Sequence, residues 1–287
     1  MIDRKILKGR AKMVLSRSFF MSVVACAIVS IITGGMVNFG VQRLQGLNLA
    51  AMSDIRIIAI YAVAGLMLLV GIGISIFVAA PLRVGLCHFM LRSADMDTNL
   101  DNLMHPFRNG YKNIVWVTFV KNLYVALWSL LGFVPLIIGL WKFGLGQKLA
   151  ELLPLVQNDS VSAAMSLMTI SSGFVLLTII FMIPAYIKEL QYSMVEYILA
   201  ENPDMSRSKA IGKSKEMMVG NKWAYVKLAI SFFGWYVLAN TACCIGNFLL
   251  MPYIEQTFAQ MYLEISGQGK DYSEYDYQNP FVDFRNM

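Results

Sequence analysis

IIAIYAVAGLMLLVGIGISIFVAAPL, residues 57–82, contains no charged side chain. As a helix rising about 1.5 Å per residue it is longer than the ~30 Å hydrocarbon core of a bilayer. Phe19 to Gln42 and Ser160 to Ile187 are two more uncharged runs of spanning length. Outward from these runs the composition agrees: 57% of residues are hydrophobic and 15% charged, too few charges to cover a water-facing surface. The fold class expected is therefore all-α, a polytopic membrane helix bundle. Apolar stretches place six transmembrane helices near 19–41, 57–81, 114–140, 167–187, 223–242 and 245–264. They are preceded by a basic amphipathic N-terminal helix over 1–18 and followed by an acidic, tyrosine-rich tail over 266–287 that reads as disordered. The apolar run from Phe19 is too long for a secretory signal, and further spans follow it, so an uncleaved first helix is expected.

The last two spans are the least defined. No charge falls between Leu228 and Glu255, a stretch long for one helix and short for two. Small residues at Thr241-Ala242-Cys243-Cys244-Ile245-Gly246 favour a hairpin over one long tilted helix.

Basic residues set the orientation. Arg4, Lys5, Lys8, Arg10, Lys12 and Arg17 precede the first span, and Arg83, Arg92, Arg108 and Lys112 join the second to the third. Lys188, Arg207, Lys209, Lys213, Lys215 and Lys222 join the fourth to the fifth, whereas the opposite loops hold only Arg43, Arg56, Lys142 and Lys148. Both termini are then cytoplasmic, with Trp116 and Trp223 near the inner interface and Trp141 near the outer one. The net charge of +6 lies beside apolar runs and not in one basic domain. Anionic membrane lipids, or a membrane-protein partner, fit it better than nucleic acid.

The two large cytoplasmic connections resemble each other. In each, a span passes a proline and continues as helix (Pro81-Leu82-Arg83-Val84-Gly85; Pro184-Ala185-Tyr186-Ile187-Lys188) and then meets an acidic turn (Asp95 to Asp101; Glu201-Asn202-Pro203-Asp204). A short helix leads to Gly110-Tyr111-Lys112-Asn113 or Gly220-Asn221-Lys222-Trp223. This predicts an internal repeat of helix hairpins. The N-terminus reads as a truncated third copy, with Ser16-Arg17-Ser18-Phe19 as a hinge.

Several stretches carry a family resemblance. Tyr192-Ser193-Met194, Tyr197 to Pro203, Ala210-Ile211, Ser214-Lys215, Met218 to Trp223, Ser231 to Trp235, Gly246 and Pro252-Tyr253 are the strongest, with Pro81 to Leu86 and Leu127 to Leu131 upstream. From about residue 78 onwards the chain resembles the bacterial integral membrane protein family called domain of unknown function 975. The resemblance implies a bacterial plasma membrane and carries over no activity. Members of that family tend to have an acidic residue where this chain has Ala229, and they often run almost directly from the third span into a proline-glycine turn, where here Trp141 to Met168 intervenes as an outer insertion.

No catalytic motif is present, so the chain is read as acting without catalysis, with no cofactor and no metal. His88 and His105 are too far apart for a metalloprotease helix, and no Gly-x-Ser-x-Gly or Walker loop occurs. Cys26, Cys87, Cys243 and Cys244 lack zinc spacing and read as small buried residues. Asp95, Asp97, Asn99 and Asp101 imitate the start of a calcium loop, but Leu100 and Pro106 occupy positions that need Gly and Glu. Helix capping is the favoured reading there.

Two candidate binding regions remain. Ser206 to Val219 places Ala210, Ile211, Ser214, Met217 and Met218 on one helical stripe, with Arg207, Lys209, Lys213 and Lys215 off it. With Lys222 and Trp223 these form an expected lipid-headgroup or partner-binding face. The second region is an intramembrane polar site of Lys121, Lys188, Glu189, Lys227 and Glu255. Charges in a bilayer are paired or face a cavity, so these residues either line a cytoplasm-facing vestibule or snorkel and pair structurally. Glu255 is expected to contact Lys188 or Lys227. The favoured function is a membrane scaffold or regulatory module binding lipid or a membrane partner; the alternative is a transporter of a small solute or lipid.

Overall fold

A computed structural model describes residues 3–45, 54–142, 161–241 and 245–269. Every regular element among them is helical. The tail beyond residue 269 and most of the outer segment 141–168 lie outside the described residues.

Helix α1 spans Arg4–Gln45, 42 residues without a break. It runs straight through Ser16-Arg17-Ser18-Phe19, where the sequence suggested a hinge. Ser16 and Ser18 donate their hydroxyls back to the carbonyls of Met13 (2.7 Å) and Val14 (3.0 Å), which satisfies them without opening the helix.

The uncharged run 57–82 lies within α2 (Asp54–Ile74), a π-helical turn (Ser75–Ala79) and α3 (Ala80–Ala94). Leu66, Met67, Leu68, Leu69 and Val70 are consecutive, so they point around the whole circumference of α2, and all five are exposed. An apolar surface of that kind suits lipid and not water. Pro81 has no N–H, which leaves the carbonyl of Phe77 without its usual donor four residues on. The Tyr111 hydroxyl donates to that carbonyl at 2.8 Å, and the wide π turn accommodates the mismatch. Tyr111→Phe should therefore cost about 1 kcal/mol in chemical unfolding; an unchanged midpoint would show that the Phe77 carbonyl is satisfied elsewhere.

Beyond α3 a 3-10 turn (Leu100–Met104) and the one-turn α4 (His105–Arg108) lead to Gly110, whose φ of +66° lies in the left-handed region. Helix α5 (Tyr111–Ser129), a 3-10 turn (Leu130–Phe133) and α6 (Val134–Lys142) follow. Then come α7 (Val161–Tyr192), α8 (Val195–Glu201), α9 (Arg207–Met218), α10 (Lys222–Ile230), α11 (Phe233–Thr241) and α12 (Ile245–Ile265). Four stretches among the described residues are long and apolar enough to cross a membrane: Arg4–Thr33, Ala59–Ala94, Tyr111–Gly139 and Val175–Glu201.

The chain forms two compact units, residues 1–119 with 193–287, and residues 120–192. In the first, α10 and α11 pack antiparallel to α12. Tyr225 meets Phe258 (ring centroids 4.7 Å), Phe232 meets Tyr253 edge-on (5.4 Å), and Gly246 lies against the Ala239 backbone. The described residues 222–241 and 245–265 thus run antiparallel and are not one long helix. Their core joins Leu7 of α1 to Leu228, Phe232, Ile254 and Met261.

The basic N-terminal segment is also tied to these helices by polar contacts. Lys8 lies 4.3 Å from the Phe232 ring centroid, and Arg10 pairs with Glu264 at 2.5 Å. Lipid tails are as apolar as leucine, so such ties and close packing hold helices together in a bilayer more than hydrophobic burial does. In the second unit, Gly132 lies against Met182, and Tyr124 packs near Tyr192 (6.5 Å).

Candidate functional site

Helix α9 realises the predicted stripe. Ala210, Ile211, Ser214 and Met218 are buried, and Met217 is half-buried. Arg207, Lys209 and Lys215 are exposed and Lys213 is half-buried. The helix ends before Gly220, whose φ of +78° turns the chain into α10, and the Asn221 amide donates back to the Met217 carbonyl at 2.9 Å. Trp223 is 66% exposed and Lys222 half-buried. The Lys227 ammonium lies 5.9 Å from the Trp223 ring centroid.

The predicted intramembrane residues are divided between the two units. Lys121, Lys188 and Glu189 belong to residues 120–192, where Lys188 sits 5.0 Å from the Trp128 ring centroid, Lys121 is half-buried and Glu189 is exposed. Lys227 and Glu255 belong to the other unit.

Glu255 has a charged partner, but it is neither Lys188 nor Lys227. Arg83 Nη1 approaches Glu255 Oε1 at 3.4 Å, and Arg83 Nε approaches Glu196 Oε2 at 3.6 Å. The reason lies in Pro81: the helix continues past it, so Arg83 is carried on α3 against α12 and α8 instead of entering a loop. The three groups thus converge from three helices. Glu196 and Glu255 keep 21% and 13% of their side-chain surface accessible, Arg83 45%, so the cluster is shielded yet open on the guanidinium side. Both separations exceed the 2.7–2.9 Å of a charge-assisted hydrogen bond, and they leave the guanidinium room for another polar group. Cys26 of α1 lies within electrostatic reach of Glu255 and Arg83. Arg83 was legible only as a cytoplasmic basic residue. The signal for Glu196 was a single acid within the buried run Met194-Val195-Glu196-Tyr197-Ile198.

The acidic turn after α3 is used for capping and pairing. Asp97 Oδ1 accepts from the Asn99 N–H (3.3 Å), and Asn99 Oδ1 accepts from the Asp101 N–H (3.0 Å). Arg108 grips both oxygens of Asp101 at 2.7 and 2.8 Å, holding that carboxyl below the usual range. The nearby Asn102 side chain, and then the hydrogen bond from the Asn99 N–H, lower Asp97 in the same way.

No curated protein and no solved structure matches this chain. One family model does, over residues 1–269, which takes in the α9 face and the Arg83 cluster alike. The chain therefore belongs to the family described as protein of unknown function (DUF975).

Proposed function

We propose that this chain is a non-catalytic module of the bacterial plasma membrane that binds anionic lipid headgroups, or a membrane partner presenting similar charge, through the basic face of α9. The observation that carries this reading is the separation of surfaces on α9. Ala210, Ile211, Ser214 and Met218 turn inward, while Arg207, Lys209 and Lys215 stay exposed. With its apolar stripe packed against the protein, the helix offers outward only its cations, which suit phosphate headgroups. The proposal includes six spans with both termini cytoplasmic. Its fifth and sixth spans are α10–α11 and α12; the last has 21 residues, about 31 Å of helix. The left-handed glycines Gly110 and Gly220, at matching places in the two connections, support the repeat reading.

Each lysine near an anionic surface contributes roughly 1 kcal/mol. Full-length protein in nanodiscs of mixed phosphatidylglycerol and phosphatidylcholine should therefore gather phosphatidylglycerol around it. The Lys209→Gln, Lys213→Gln, Lys215→Gln variant should lose most of that preference. Equal enrichment in the variant would remove the lipid reading.

A second reading, transport of a small solute or lipid, draws on the Arg83, Glu196 and Glu255 cluster, whose accessible guanidinium suits a polar vestibule. The two readings part on Glu255→Gln, which a lipid-binding module tolerates and a transporter does not.

A further inference from the structure

We propose that the stacked rings of His88 and His105 form an acid-sensitive latch, which holds the 3-10 turn and α4 against α3 and releases them when the pair is protonated. This goes beyond the lipid-binding reading and does not depend on it.

His88 lies on α3 and is 7% exposed; its Nδ1 is 2.9 Å from the carbonyl oxygen of Ala200 on α8. A carbonyl only accepts, so that nitrogen carries the proton in the neutral ring and Nε2 keeps the basic lone pair. His105, the first residue of α4, stacks on His88 with centroids 4.1 Å apart and planes 9° from parallel. The His105 Nδ1 is shut away from solvent and has no hydrogen-bond partner. Neutral imidazoles stack well at this distance, whereas two imidazolium rings repel in a medium less polar than water.

The surrounding charges sharpen the effect. Arg92, one turn beyond His88 on α3, opposes a charge on either ring. Asp97, in the turn after α3, favours a charge on His88, but it is exposed and already accepts from the Asn99 N–H. On the 3-10 turn and α4, Asp101 and Arg108 neutralise each other. From α8 the pair meets the Ala200 carbonyl, and neighbouring Glu201 is engaged by the Tyr262 hydroxyl at 2.6 Å.

Burial first, and then Arg92, hold the His105 imidazole below its ordinary value of 6.5 in the closed arrangement. An opened α4 would return the ring to water and to that ordinary value. The closed form thus binds protons less readily than the open one. Its advantage is complete above about pH 6.5 and falls as the pH drops below it, by up to about tenfold in the opening equilibrium per pH unit for each proton taken up. Release would reach the charged cluster directly. The Ala200 carbonyl lies one turn from Glu196 on α8, and His88 follows Arg83 on α3, so the latch and the Arg83–Glu196 pair share one helix contact.

The test is amide hydrogen exchange over residues 99–109 of the full-length protein in nanodiscs, between pH 7.5 and 5.5, corrected for the intrinsic pH dependence of exchange. Protection in the wild type should fall by up to about fivefold for each proton taken up between pH 6.5 and 5.5. In His105→Phe, which keeps a ring to stack and cannot take a proton, the slope should shrink to the share of His88, and with His88→Phe added it should vanish. A flat wild-type profile overturns the proposal even if the variants do not fold, and so does an acid slope undiminished in His105→Phe.

Discussion

Arg83→Leu should destabilise the protein by about 2–3 kcal/mol, and Glu255→Leu by clearly less. The asymmetry follows from one guanidinium serving two carboxylates, Glu196 at 3.6 Å and Glu255 at 3.4 Å. Without Arg83 both carboxylates lose this partner in a shielded site, and stranding a buried charge is the expensive half of breaking an ion pair. Without Glu255, Arg83 still faces Glu196, and with 45% of its side chain accessible it can also reach water or headgroups. That accessibility is why the expected loss stays below the 3–5 kcal/mol typical of a fully buried pair. Combining the two changes should cost less than their sum, because Arg83→Leu has already removed the partner that made Glu255 favourable. Reversible unfolding in mixed micelles measures all three variants. Equal losses for the two single variants, or simple additivity, would show that the three groups do not act as a cluster.

That Glu255 pairs with Arg83, and not with Lys227 or Lys188, has a cause that no single stretch of sequence carries. The apolar runs and the α9 stripe are local properties: Leu66 to Val70 and the spacing of Ala210, Ile211, Ser214 and Met218 announce themselves without reference to any other part of the chain. Glu255 was legible because a carboxylate within an apolar run needs an explanation wherever it sits. Its partner was not, because the α3–α12 contact joins residues far apart in sequence, although the helix past Pro81 was itself legible. The tyrosine hydroxyl from another helix that satisfies the carbonyl left bare by Pro81 was not. The hinge expected at Ser16 to Phe19 failed for a related reason, since serine is a poor helix former in isolation and harmless once its hydroxyl bonds back to the preceding turn. The antiparallel pairing of 222–241 with 245–265 was legible only as the better of two alternatives. A break at Ser231 and Phe232 divides the fifth apolar stretch into α10 and α11, each of 9 residues, shorter than a spanning helix is expected to be.

Gly85→Ala should be the most damaging single-methyl change, lowering stability by about 3 kcal/mol or more. Gly85 lies on α3 one turn before Phe89, with Leu82, Val84, Leu86 and Phe89 all buried around it. A methyl group there would overlap the main-chain carbonyl of Leu103 in the 3-10 turn. A flexible side chain could move aside, but this obstacle is backbone. The turn that carries it is fixed on one side by the Asn99 cap and on the other by the His105 stack on His88. Relief requires moving the turn off α3, which would uncover Leu103, now 2% exposed, and separate the two rings. The better helix propensity of alanine returns only about 1 kcal/mol. Gly65, Gly71 and Gly73 on α2 provide the comparison, since an added methyl meets nothing within 4 Å at any of them. Alanine there should be neutral or stabilising by up to about 1 kcal/mol. Unfolding midpoints in the same micelles give the contrast directly: a Gly85→Ala protein as stable as Gly71→Ala would mean that the 3-10 turn does not sit on α3. A less stable one with an intact far-ultraviolet helix signal, and faster exchange confined to residues 99–109, would locate the damage at that contact.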